Sequence, residues 1–329
     1  MPAARLRFAA IACVALLLGA CHKDKEPVKP GGETPVAAVQ QSLELIKQGD
    51  FGGFWKHALP PADFATLRSD WARNHGPQHP LNEDDRARVE QTLRQFTAAD
   101  AETKLYAQLK PKLVQFQQQY SDQVPVMVGI FQAIATTAVD QSKDFTVAQK
   151  QQLHDILTVL APWAQKAPWF DQALAKNAVT IAVQSARDLK LDSAQQWQQL
   201  DYDGAMQKYG VLYAGAKQVL ALYGLSLDEV FDSAKLSLLS SDQASAQVTL
   251  DYRLLGTPLS TQIILIQQDG RWYDRDLLQQ VRDAHIDLLQ APAAASSPAH
   301  PASAAASAPI PAPATTTPQP PRKPTAAQG

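Results

Sequence analysis

The hydrophobic period of this chain changes once, and that change limits the folds open to it. From about residue 35 to 225 apolar residues recur at helical spacing; from 233 onward they alternate. The first pattern puts an apolar stripe on one side of a helix, and the second gives strands with one wet face. Val36, Val39, Leu43 and Ile46 open the helical part, and Gly49 closes that first helix. Helices are predicted near 35–48, 51–57, 61–74, 83–96, 98–119, 123–142, 146–160, 168–189, 193–199, 203–223 and 226–231. Side-chain acceptors three residues before Asp, Gln or Glu (Thr97/Asp100, Thr146/Gln149, Ser193/Gln196, Ser226/Glu229) mark capping boxes. Pro111 should kink or divide its helix, and Pro162 with Pro168 should bracket a break around Trp163.

Beyond 233, Ala234, Leu236 and Leu238 alternate with Lys235, Ser237 and Leu239. Ala246, Val248, Leu250, Tyr252 and Leu254 alternate with Gln247, Thr249, Asp251 and Arg253. Ile263–Ile266 is apolar on both faces and should be the most covered strand. Asp269-Gly270 is a two-residue hairpin signal, followed by a short return strand at Arg271–Tyr273 and a closing helix at 275–289. The fold class expected is α+β and predominantly helical. A helical region spans 36–225; a small C-terminal antiparallel sheet of three to four strands, with its closing helix, spans 226–290 and packs on the helices.

The chain begins with Arg5 and Arg7, an apolar run from Phe8 to Ala20, and small residues at Gly19 and Ala20. Charge, apolar run and small residues in that order form a secretory signal, here residues 1–20. The run is too short for a bilayer span of about 20 residues and is followed by His22-Lys23-Asp24-Lys25-Glu26. Leu18-Gly19-Ala20-Cys21 resembles the lipobox of bacterial lipoproteins. The resemblance implies cleavage before Cys21, lipid on Cys21, and a membrane partner reached through that lipid. With His22 rather than Asp after the cysteine, it favours the outer membrane, with the body facing the periplasm.

Removing such a leader takes Arg5 and Arg7 from a chain whose formal charge is −2, leaving it more acidic. A nucleic-acid partner is not expected, since that needs a basic face. Cys13 lies in the leader and Cys21 is the lipid site, so the mature body has no disulfide and no thiol ligand. Residues 21–35 read as a flexible polar tether. Residues 291–329 carry ten of the 23 prolines among Ala, Ser and Thr, and read as a disordered Pro/Ala-rich tail.

The two ends of the body are similar to the nuclear-transport-factor-like superfamily. Val39–Phe51 is a helix ending in Gly-Asp-Phe. Ala246–Tyr252 leads to Ile263–Tyr273, which closes in Asp-Gly-Arg-Trp. The resemblance implies a curved sheet around helices with a cone-shaped pocket, interrupted by a large helical insertion. Fold of this kind does not name an activity.

No residue set names a reaction. His75-Gly76-Pro77-Gln78-His79 has zinc-like spacing, but Gly76 and Pro77 make it a loop, and a surface turn is expected. Phe64, Leu67 and Trp71 should form a buried stripe, with Arg68, Asp70 and Arg73 facing water. Trp163, Trp169 and Phe170 should be a knot between helices. Gly204, Gly210, Ala214 and Gly215 should mark a close helix approach, and Tyr202, Tyr209, Tyr213 and Tyr223 should pack with hydroxyls at the rim. Asp251, Tyr252, Trp272, Tyr273 and Asp274 would meet across neighbouring strands, where Asp251 could serve as a base in a pocket. Asp251 also alternates onto the wet face of its strand. No cofactor and no metal are expected. The function expected is that of a lipid-anchored periplasmic protein that binds or scaffolds, with an envelope protein or the cell wall as partner. The alternative is a periplasmic small-molecule binder or enzyme using a cone-shaped pocket.

Overall fold

The computed structural model describes residues 27–75, 80–143 and 145–290. Its helices are α1 (Pro35–Gln48), α2 (Phe51–Ala58), α3 (Pro61–Asn74), α4 (Glu83–Thr97), α5 (Ala101–Tyr120) and α6 (Val124–Gln141). They continue as α7 (Val147–Lys166), α8 (Gln172–Asp188), α9 (Ala194–Gln198), α10 (Tyr202–Leu222) and α11 (Leu227–Asp232). Strands β1 (Lys235–Ser241), β2 (Ser245–Leu254), β3 (Thr257–Gln268) and β4 (Arg271–Asp274) follow, and α12 (Arg275–Gln290) closes the body. The chain is therefore predominantly helical α+β with a small antiparallel sheet.

Local chemistry sets most helix starts. Thr34 accepts from Ala37 N at 3.2 Å, Asp50 from Gly53 N at 2.8 Å and Asn82 from Asp85 N at 2.8 Å. Thr146 and Gln149 form a complete capping box. Ser193 and Ser226 cap α9 and α11, but without the return bond of a full box: the Gln196 side chain accepts from Asp192 N instead. The Thr97/Asp100 box does not form: Thr97 ends α4, its hydroxyl donates to Leu93 O at 2.7 Å, and Asp100 makes no side-chain cap. Neither Pro111 nor Pro162 divides its helix; α5 and α7 run through them. Both prolines are exposed, as are Ala107 and Thr158 one turn before. The carbonyls that lose their helical partner therefore sit where water can reach them.

The sheet is a meander in the order β1-β2-β3-β4. Asp242 bends the first hairpin by accepting from Ala244 N and Ser245 N, both at 2.7 Å. The second hairpin turns at Leu255-Gly256, with φ of 52° and 81°. This turn starts β3 at Thr257, well before the expected Ile263. Ile263, Ile264 and Ile266 are half-buried and only Leu265 is fully covered, so β3 is not the most covered strand; β2 and β4 both bury more of their residues. Ala246, Val248, Leu250 and Leu254 are the buried face of β2.

The third hairpin is the one predicted. Asp269 and Gly270 have φ of 52° and 73°, the pattern of a tight turn whose twist matches its strands. We expect Gly270→Val to lower stability by about 1–2 kcal/mol, the usual strain of a side chain at positive φ. Gly270→Asn should be nearly neutral, and denaturant unfolding of the two variants measures the difference.

Helix α1 lies across the sheet. Ala38 and Val39 pack with Ala246, Val248, Leu265 and Trp272 in one core cluster. A second cluster joins Tyr202, Ala205 and Met206 of α10 to Phe51, Trp55, Phe64, Leu67 and Trp71. The expected stripe on α3 is thus present, but Asp70 does not face water. It is buried, with His285 Nδ1 of α12 at 2.7 Å and Arg73 at 3.7 Å. Beside it, Arg282 makes two 2.8 Å bonds to Asp63. These pairs dock α12 on α3.

Part of the tether expected over 21–35 is instead bonded to the body. Gly31 N donates to His57 O at 2.7 Å, and Gly32 exchanges two backbone bonds with Trp272, at 3.0 and 2.9 Å. A Cβ at Gly32 would stand 2.3 Å from Ala38 N, so the segment seats only because it carries no side chain there. Cys21 and the tail 291–329 lie outside the described residues.

Candidate functional site

Between α1, α2 and the sheet the side chains leave a cavity of about 190 Å³. Val39 and Leu43 line it from α1, Phe54 and His57 from α2, and Ile263 and Leu265 from β3. Trp272 and Asp274 contribute from β4, and Leu277 from α12. The walls are mostly apolar, because each of these elements turns its apolar face toward the sheet.

The polar groups in the cavity are mostly committed. Ser42 Oγ donates to Ala38 O at 3.0 Å. Both ring nitrogens of the buried His57 stand 3.0 Å from backbone carbonyls, those of Lys29 and Ala38. That histidine clips the N-terminal segment to α1 and has no nitrogen left for a substrate. Asp274 precedes α12 and one of its oxygens accepts from Leu277 N at 2.9 Å. Burial holds the Asp274 carboxyl above the ordinary 3.8, against the opposing pull of that amide and of the Asp276 amide.

The raised Asp274 has a sign that can be tested. Above the ordinary carboxylate value the folded chain binds more protons at this site than the unfolded chain, so this group's share of stability falls as pH rises. Asn keeps the cap but cannot ionise. Asp274→Asn should therefore gain stability relative to the parent between about pH 4 and pH 7. Unfolding midpoints across that range check it; a variant that loses ground as pH rises contradicts the assignment.

The five residues expected to meet across neighbouring strands do not. β3 lies between β2 and β4, and Asp251 registers with Ser260 and Lys235, away from Asp274, which registers with Leu265. Asp251 is exposed. Tyr252 instead accepts from Gln152 of α7 at 3.4 Å. His75 is exposed and stacks flat on Trp71, with ring centroids 3.7 Å apart, while His79 lies outside the described residues. Among the described residues, His, Cys, Asp and Glu form no group of three that could hold a metal.

The aromatic knot is structural. Trp163 Nε1 donates to Tyr223 O at 2.8 Å, and the Trp169 ring stacks on Tyr223 at 5.0 Å. Of the four tyrosines on and after α10, Tyr202 departs from the expected rim position. It is buried, its phenol is pushed well up by burial, and its hydroxyl has no partner among the described residues. The close approach at the glycines is real: a Cβ at Gly210 would lie 2.5 Å from Gly49 O, and one at Gly215 would lie 2.1 Å from Ser185 Oγ.

A second candidate surface was hidden in the sequence reading. Residues 123–139 contain no charged residue. A helix apolar all round is normally buried. Helix α6 is not. It packs on α7 along one side, yet Val126, Ile130, Phe131 and Ile134 are each more than half exposed. Val126, Ile130 and Ile134 fall at i, i+4 and i+8, so they form one stripe. Over α5 and α6 the best 18-residue window has a mean hydropathy of 1.2 and is 6% buried, which by length and composition alone would suit a membrane span. The signal that could have marked this surface is the missing polar face itself.

No family model, curated protein or solved structure matches this chain. The likeness of its two ends to the nuclear-transport-factor-like superfamily therefore rests on the sequence motifs alone.

Proposed function

We propose that this protein is a lipid-anchored envelope protein, held through Cys21 at the periplasmic side of the outer membrane, that works by binding another envelope protein. The observation that carries the binding role is the exposed apolar stripe of α6. Exposed apolar surface of this kind, on a chain otherwise able to bury a core, marks an interaction site. Its chemistry narrows the occupant. Helices that lie in a membrane interface carry Lys or Arg on their polar face, and 123–139 has neither. A cell-wall glycan would need hydrogen-bonding groups, and the stripe is aliphatic, with the exposed Phe131 ring beside it. A protein groove that receives an apolar helix face at i, i+4 and i+8 fits it best. The anchor is supported by Leu18-Gly19-Ala20-Cys21.

Photo-crosslinking residues placed at Ile130 and Ile134 of the full chain in cells test the binding role, with Arg88 on α4 as a surface control. One discrete protein adduct should form from the α6 positions and not from the control, and Val126→Asp should abolish it without unfolding the body. Adducts to lipid alone, or none, would sink this reading. For the anchor, Cys21→Ser should abolish fatty-acid labelling and release the body from the membrane fraction; equal labelling of variant and parent refutes it.

A further inference from the structure

We propose that the cavity between α1, α2, β3 and α12 binds a small uncharged aromatic molecule carrying one hydrogen-bond donor, a molecule of about the size of indole. The first argument is size. An apolar cavity of about 150 Å³ takes a benzene ring, and this one is about 190 Å³. The second is the wall. Val39, Leu43, Ile263 and Leu265 supply aliphatic surface, while Phe54 and Trp272 supply rings against which a flat molecule can stack or meet edge-on.

The third argument is polarity. Ser42 and His57 spend their donors on backbone carbonyls. Asp274 accepts from the Leu277 and Asp276 amides at the start of α12, and the two oxygens of a carboxyl group together have acceptor capacity beyond those two bonds. The ligand should therefore donate. Lys and Arg do not line the cavity, and an anion would stand beside the Asp274 carboxyl, so a carboxylate should be rejected. Lining residues do not come from α6, so this proposal and the partner-binding proposal stand or fall separately.

The test uses the full chain with indole and indole-3-carboxylate at millimolar concentration, followed by proton–nitrogen NMR and thermal unfolding. Indole should shift the Trp272 ring N–H signal saturably and raise the melting temperature. The carboxylate should bind about tenfold more weakly, and Asp274→Asn should close most of that gap. Ile263→Trp should fill the cavity and abolish the shift; Leu43→Phe provides a second filled variant should the first fail to fold. The proposal is overturned when indole gives no saturable shift at Trp272, when a folded filled variant binds as the parent does, or when the two probes bind alike.

Discussion

Trp272→Ala should be the most damaging single truncation in the sheet, lowering stability by about 3–5 kcal/mol. The ring is only 6% exposed and packs with Ala38, Val39, Ala246, Val248 and Leu265, so its loss opens a void where the sheet meets α1. A small domain has roughly 5–15 kcal/mol to lose, so the variant would sit close to unfolding. Urea titration is the measurement, with the midpoint falling and the slope unchanged. His75→Ala and Asp251→Ala, both at exposed positions, should stay within about 0.5 kcal/mol of the parent. A neutral Trp272→Ala would mean that the ring is a wall of the cavity and no part of the core.

Gly210→Ala should cost about 1–3 kcal/mol, although alanine is the better helix former. The added methyl would stand 2.5 Å from Gly49 O, a backbone atom. Gly49 cannot easily yield, because it ends α1 at a φ of 73°, where its conformation is already fixed by the turn. Gly129 in α6 is the internal control. A Cβ there meets nothing within 4 Å, so Gly129→Ala should be neutral or stabilising by up to about 1 kcal/mol. The same substitution in two helices is thus expected to change sign with the neighbour alone. Thermal and denaturant unfolding of both variants decide it, and a neutral Gly210→Ala would remove the close approach.

Helix and strand identity were legible because their signals are local. Thr146, Ser193 and Ser226 announce starts by their own hydroxyls, and Asp269-Gly270 announces a turn by its tolerance of positive φ. The turn at Leu255-Gly256 was missed because leucine is a poor guide to positive φ; strand pairing on both sides holds it there. Burial of Asp70 depends on His285, far along the chain, and spacing within α3 carries no trace of that partner. The cavity could not be read for the same reason, since its walls come from five separate elements. Of the residues guessed for a pocket, Trp272, Tyr273 and Asp274 do line one, while Asp251 and Tyr252 are separated from it by a whole strand.

The stitching of residues 30–33 onto β4 has a mechanical meaning. Arg271 donates to Pro30 O at 3.0 Å and Gly31 O at 2.6 Å and pairs with Glu33 at 3.3 Å, beside the two backbone bonds between Gly32 and Trp272. Tension arriving along the chain from its N-terminal side would meet this clamp before it reached α1. The helix that roofs the cavity would stay unloaded until the clamp tore.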